Sequence, residues 1–507
     1  RDSAGRRIGM FDLWKASMMA NASRDPFYRA MVSAAVATTP DAAEVIEGKC
    51  LTCHAPMAHT EALQQDDSVF RLDDLYAGDE RAHLGLDGVS CTTCHQIDPA
   101  NLGSQESFSG GFVIERGEKV IYGPHDSPFS RPMEQSTGYT PVASDHMRDS
   151  ELCATCHTLE TPTLAEDGSA TGGHVDEQTP YLEWLNSDFN TASGEPRSAS
   201  CQECHVPQTD VDGNPISTEI ARRPDGGDFP PLEARQPVGR HVFIGGNTLI
   251  PAILRDHADA LEPMATAAEF DALITAVERQ LQTRTARLSI GETARSGDTV
   301  EIPITVENFT GHKFPTGYPS RRAWLHVTVR NASGTTVFES GNYDEDGYIV
   351  SSAGEIHPTE EIDGGTEPHF DRVTSADQVQ IYQAIMADES GENTYRLMRG
   401  AGYFKDNRLL PVGWSSDHPS IERIAPVGTD GDANFTGGSD RVTYVVDAPA
   451  TEGPYSVDVE LVYQTLSRRH ADELFTIETR EIRVFEQYFD QADKLPVRVA
   501  FNTATVD

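Results

Sequence analysis

The sequence predicts a multidomain chain of two unlike parts. Residues 1–285 read as a mostly irregular and α-helical domain, and residues 286–507 as an all-β, sandwich-like domain. Two observations set this division. All eight cysteines lie between Cys50 and Cys204. Beyond residue 285 apolar side chains alternate with polar ones at the period of a half-buried strand.

In chain order, Leu13-Trp14-Lys15-Ala16-Ser17-Met18-Met19-Ala20 predicts a helix, interrupted at Arg24-Asp25-Pro26. Residues 42 to 49 predict a second helix leading into the first cysteine pair, and residues 176 to 185, with Tyr181, Trp184 and Leu185, a third. Between them run long stretches rich in Gly, Pro and Asp with little periodicity. Residues 266 to 284 give the clearest helix, with Phe270, Leu273, Val277 and Leu281 at helical spacing. Strands follow. Val300, Ile302, Ile304 and Val306 alternate with Glu301, Pro303, Thr305 and Glu307; Val442, Tyr444 and Val446, and Tyr455, Val457, Val459, Leu461 and Tyr463, alternate with polar residues or face a second layer. Asn331-Ala332-Ser333-Gly334 separates two such runs as a hairpin turn. The pattern is that of an antiparallel sandwich.

Four copies of Cys-x-x-Cys-His carry the chemistry: Cys50/Cys53/His54, Cys91/Cys94/His95, Cys153/Cys156/His157 and Cys201/Cys204/His205. Each pair can form two thioethers to one haem, and the adjoining histidine can bind its iron. Four covalent haems c would use every cysteine, so the first domain is expected to be a tetrahaem cytochrome c domain whose core is filled by haem. Disulfides do not explain a histidine after every second cysteine. Zinc takes Cys-x-x-Cys pairs without requiring that histidine.

The sixth iron ligands have to come from the remaining histidines of the 17. In this half they are His59, His83, His125, His146, His174, His241 and His257. His146 precedes the third motif closely. His241 begins His241-Val242-Phe243-Ile244-Gly245-Gly246-Asn247, where glycines let backbone approach a flat ring. His125, His83 and His59 are the next candidates, each weighed against a plain surface histidine. Met18 and Met19 could give a His/Met haem but read better as core residues. In the β half, His312 lies in a turn-rich loop that reads either as structural or as docking on the haem domain, with Arg321 and Arg322 pairing with propionates. Asn342-Tyr343-Asp344-Glu345-Asp346-Gly347 imitates the first half of a calcium loop without its closing glutamate.

Eighty acidic against 40 basic side chains give a net charge of −40. That excludes a nucleic-acid partner, whose phosphates need Lys and Arg. It fits a basic redox partner protein or simply a solvated acidic surface. No run of 18 apolar residues predicts a transmembrane helix. The chain starts at Arg1 with no initiator Met and no apolar h-region, and covalent haem attachment is extracytoplasmic in bacteria and archaea, so a signal sequence already removed is expected. A periplasmic, cell-surface or extracellular location is therefore expected.

The segments Gly88–Ile97 and Leu152–His157, the His241–Asn247 run and the Gly311–Arg322 run resemble multihaem c-type cytochromes of respiratory bacteria, with a cytochrome-c554-like haem region and, in some, a β domain of this kind. The resemblance implies electron transfer through packed haems. It leaves two other readings: an oxidoreductase with one open iron, and a subunit that self-assembles into a conductive filament.

Overall fold

The computed structural model describes residues 4–66, 68–117, 119–220 and 232–506. Its first helix is shorter than predicted, Met10–Trp14, and the chain then turns. The reason is local: the Asn21 amide donates to the Lys15 and Ser17 carbonyls, at 3.1 and 2.9 Å, and so closes turns where a helix would have continued. A helix does begin at Arg24-Asp25-Pro26. The Asp25 carboxylate accepts from the Phe27 and Tyr28 N–H groups and Pro26 fills the first turn, which starts the helix Pro26–Thr38.

The helix expected before the first motif runs through it, Ala43–His54. The other motifs sit in short helices, Cys91–Cys94, Glu151–His157 and Cys201–His205. Of the helix expected over 176 to 185 only Pro180–Leu185 is helical, because residues 176 to 178 end the strand Ala170–Gln178. That strand pairs with Leu159–Leu164. The helix Ala267–Gln280 closes through a wider turn, Leu281–Thr285, and leads straight into the strand Ala286–Ile290.

Two larger sheets follow. One has five strands, with Ser439–Asp447 antiparallel to Thr299–Asn308 in a register that opposes Ile302 to Tyr444 and Ile304 to Val442. The other has seven, built around Arg322–Arg330 and Tyr455–Gln464, the latter also paired with Val497–Val506. One pairing in the first sheet is parallel, Arg372–Val373 with Ser439–Asp447. Two helices that the alternating pattern did not reveal, Arg468–Phe475 and Arg480–Gln491, lie between the last two long strands. Ile482, Phe485 and Phe489 form the buried face of the second, which packs on Pro26–Thr38.

The apolar core does not stop at residue 285. One cluster joins Ala30, Ile253 and Phe270 to Val306, Leu325, Tyr382 and Phe485. Around the motifs the apolar clusters are smaller: Leu51, Ala55 and Phe70 in one, Tyr181, Leu182 and Trp184 in another. Among the described residues no helix is long and apolar enough to cross a membrane.

Candidate functional site

Each motif places its two cysteines three residues apart on a helical turn, so both thiols share one face. The histidine that follows is held through Nδ1 at three motifs. His54 donates to the Ala22 carbonyl at 3.1 Å, His95 to the Tyr122 carbonyl at 2.6 Å and His205 to the Ile244 carbonyl at 2.6 Å. A carbonyl only accepts, so Nδ1 carries the proton and Nε2 keeps a bare lone pair. This is the tautomer a metal-bound histidine needs. Burial pushes His54 down to about 4 and lowers His95, His157 and His205, which keeps the rings neutral. His157 counts as exposed by surface area, yet burial still lowers it.

Two of these rings face a second histidine. His95 and His241 have ring centres 6.4 Å apart at 20° between planes, and His205 and His312 are 6.4 Å apart at 16°. Two imidazoles bonded to one metal from opposite sides, each at about 2 Å, put their centres roughly 6 Å apart. The second ring of each pair is also held through Nδ1: His241 donates to Gly239 O at 3.1 Å and His312 to Lys313 O at 2.8 Å. Burial takes His241 down to about 4. Sequence reasoning missed His312 as a ligand candidate and read its loop only as structural or as docking on the haem domain.

His54 and His157 face no second histidine among the described residues. The Tyr28 ring lies flat on His54, 3.6 Å away at 1°, and its buried hydroxyl has no hydrogen-bond partner. His59 and His146 are both buried. His59 Nδ1 and His146 Nε2 make no well-formed hydrogen bond, while His146 Nδ1 is engaged by Ser144 Oγ at 2.6 Å. His125 is half-buried, and burial, then Arg148 and Arg235, lowers its pKa. His83 is exposed on the helix Glu80–Leu86, and His174 is exposed on a strand. His257 stacks on Tyr488 at 4.1 Å. Met18 packs against the main core. A second histidine outside the predicted set, His470, is 1% exposed among Phe27, Tyr318 and Tyr395.

The motifs crowd around the third. Cys53 and Cys156 lie close enough to bias each other's ionisation, as do Cys153 and Cys201. Burial pushes Cys50 and Cys94 up to about 12, so both stay uncharged thiols. A thioether is uncharged too, so forming one there adds no buried charge.

Other predicted contacts fall elsewhere. Arg322 is buried and pairs with Glu360 and Gln464 inside the β half, away from the propionate role expected of it. Arg321 instead lies near His157 and His312, where its charge helps to lower both. In the 342–347 loop the Asp344 carboxylate accepts from the Asp346 and Tyr348 N–H groups, and Lys494 lies 3.7 Å from Asp346.

His369, Asp432 and Asp440 form a further cluster that resembles a metal site. Its hydrogen bonds argue otherwise. The Gln380 and Asn407 amides donate to His369 Nδ1 at 2.9 and 3.1 Å. Their orientations are fixed by the Phe370 and Gln383 N–H groups, which bind the amide oxygens. Nδ1 therefore accepts, and Nε2 carries the proton and donates it to Asp432 at 3.0 Å, leaving no lone pair for a cation.

No protein-family model matches the chain, and no curated protein matches its sequence. Among solved structures it is similar to a penta-haem cytochrome c552 from Thermochromatium tepidum, with a TM-score of 0.53 and 16% identity over 99% of this chain and 97% of that one. That likeness establishes a shared fold along nearly the whole length.

Proposed function

We propose that the chain is a multihaem c-type cytochrome that carries electrons outside the cytoplasm. Each Cys-x-x-Cys pair would hold one haem through thioethers, four in all, and the next histidine would bind its iron. The observation that carries the reading is the His95–His241 pair: centres 6.4 Å apart, both Nδ1 atoms tied to backbone carbonyls and both Nε2 atoms free for one metal. The fold shared with a penta-haem cytochrome supports it; this chain has motifs for four.

When bound, a haem supplies one-electron iron chemistry. The chain's own residues do the rest. The carbonyls of Ala22, Tyr122 and Ile244 set the tautomer and angle of three proximal imidazoles. Burial keeps the ligands neutral. The closeness of Cys53 to Cys156 and of Cys153 to Cys201 favours short transfer distances between sites. The net charge of −40 favours encounter with a basic redox partner.

A second reading, an oxidoreductase with one open iron, is favoured by one observation: His54 is covered by Tyr28 and faces no second histidine among the described residues. Two measurements test both. A pyridine haemochrome assay with intact mass should give four haems per chain; any other count, or stoichiometric zinc, overturns the cytochrome reading. Carbon monoxide should bind little of the reduced carrier, whereas rapid binding at one haem per chain selects the oxidoreductase.

A further inference from the structure

We infer that the β half supplies an iron ligand, His312, opposite His205, and that Glu183 is the positioning residue that holds it there. The inference rests on the proposed haem reading and goes beyond it, since it couples the cysteine-free half to the potential of one centre.

The ligand geometry matches that of His95 and His241. The His205 and His312 ring centres are 6.4 Å apart, and each Nδ1 donates to a carbonyl. The His312 carbonyl is itself gripped by Asn308 Nδ2 at 3.0 Å and Thr310 Oγ1 at 2.8 Å. The next residue is gripped from the other half. Glu183 Oε2 accepts from the Lys313 N–H at 3.0 Å and from Thr316 Oγ1 at 2.6 Å, so one carboxylate oxygen bridges the loop on the far side of the ligand.

That carboxylate belongs to a buried set of alternating charges. Arg408 lies 3.2 Å from Glu183 Oε1, both Arg408 and Lys313 bind Asp406, and none of the four is more than 4% exposed. Buried ion pairs are poor stabilisers, because desolvation cancels most of the attraction. Their use here is geometric: they fix the loop to a single position. The same short helix holds both sides of the centre. Trp184, next to Glu183, donates through Nε1 to the Ala199 carbonyl at 2.9 Å, just before the Ser200 cap of the Cys201–His205 helix. Gly311, next to His312, packs on this helix so closely that a Cβ there would lie 3.3 Å from the Trp184 ring and 3.1 Å from Phe189. Adjacent residues of one helix thus brace the proximal and the distal histidine.

The test uses the full-length haem-loaded protein. His312→Gly should keep four haems by pyridine haemochrome, convert one from low-spin to high-spin and bind one carbon monoxide per chain. Added imidazole should restore the low-spin spectrum. Glu183→Ala should raise the carbon monoxide binding rate of that one haem at least tenfold and shift its potential, while Glu183→Gln, which keeps an acceptor for the Lys313 N–H, should stay near wild type. Four haems with an unchanged spectrum in His312→Gly overturn the ligand assignment. A wild-type binding rate in Glu183→Ala overturns the positioning role. Should Glu183→Ala not fold, Thr316→Val removes one of the two bonds to the same oxygen and is read in the same way. A haem count other than four in the wild-type protein overturns the underlying reading instead.

Discussion

The two halves of the chain are folded by different means. In the β half the side chains fill the interior. Val300, Ile302, Ile304 and Val306 on one sheet and Val457, Val459 and Leu461 on the other are at most 1% exposed and belong to one continuous cluster. Around the motifs the apolar clusters are small and separate, and the motif cysteines and histidines are half-buried or exposed. The ends of the first half, Ala30 and Ile250 to Leu281 among them, join the main core, so only the segment that carries the motifs is left to small clusters, which offset less of its chain entropy. The difference teaches that, on the proposed reading, the motif segment would take part of its core from the haems, whereas the β half fills its own.

The largest test of that contrast removes the covalent attachment. Changing all eight cysteines to serine should leave the motif segment unfolded or molten, with loss of near-ultraviolet dichroism and rapid proteolysis between residues 50 and 205, while the β half still melts cooperatively. A fully ordered motif segment without cysteine would break the comparison.

A smaller effect sharpens where the β core ends. Phe270 is fully buried in the cluster that contains Val306 and Tyr382, although it precedes residue 286. Phe270→Ala should cost about 3–5 kcal/mol by denaturant melt, as large-to-small core changes do. For the same reason a fragment 246–507 should melt well above 286–507. Equal melting of the two fragments would return the boundary to residue 285.

How much of this was legible in the sequence follows from range. The motifs are local, so spacing alone exposed them. The strands around Ile302 and Tyr444 showed themselves because one buried face enforces strict alternation. His241 could be singled out by its neighbouring glycines, but its pairing with His95 is a long-range fact that no window contains. His312 was harder. It is a single histidine in a turn-rich loop, and only the fold brings it to His205. The predicted helix over Leu13–Ala20 failed because Asn21 competes for backbone carbonyls. The helix Arg480–Gln491 was not legible although Ile482, Phe485 and Phe489 carry a helical period, because it is a short insertion between two strands of period two.

The β half also contains a pH-dependent contribution. Burial pushes Asp440 up to about 7, against an ordinary carboxylate near 4. Tyr382 donates to its Oδ2 at 2.7 Å, Gln380 lies at 3.3 Å, and the Asp432 charge opposes ionisation further. A carboxyl with a raised folded pKa binds its proton more tightly folded than unfolded. Its contribution is complete below about pH 4 and is lost as pH climbs to about 7. The amount is on the order of 2–4 kcal/mol. Asp440→Asn mimics the protonated form, so the melting temperature of the variant should fall less than that of wild type between pH 4 and pH 7. Parallel pH profiles would show that Asp440 is ionised in the fold.

The smallest effect is the one that separates the halves most cleanly, because its two changes cost similar energy. Two helices have similar side-chain caps. Ser200 Oγ accepts from Glu203 N–H at 3.4 Å and Glu203 returns the bond to Ser200 N–H at 2.8 Å, ahead of the fourth motif. Thr479 Oγ1 accepts from Ile482 N–H at 3.2 Å, ahead of the helix Arg480–Gln491. Replacing either by Ala should cost about 1 kcal/mol. The consequences should differ. Thr479→Ala loosens a helix that carries no motif and also removes the 2.6 Å bond between its hydroxyl and Ser33, so the melt shifts at least as far while the signal of the fourth centre does not move. Ser200→Ala loosens the turn that carries Cys201, Cys204 and His205, so the electron paramagnetic resonance signal of one haem should broaden or move at no greater cost in stability. Equal spectra in the two variants would mean that the fourth centre is held by its ligands and its Glu183-braced loop alone, and that the local fold around it contributes nothing to its electronic state.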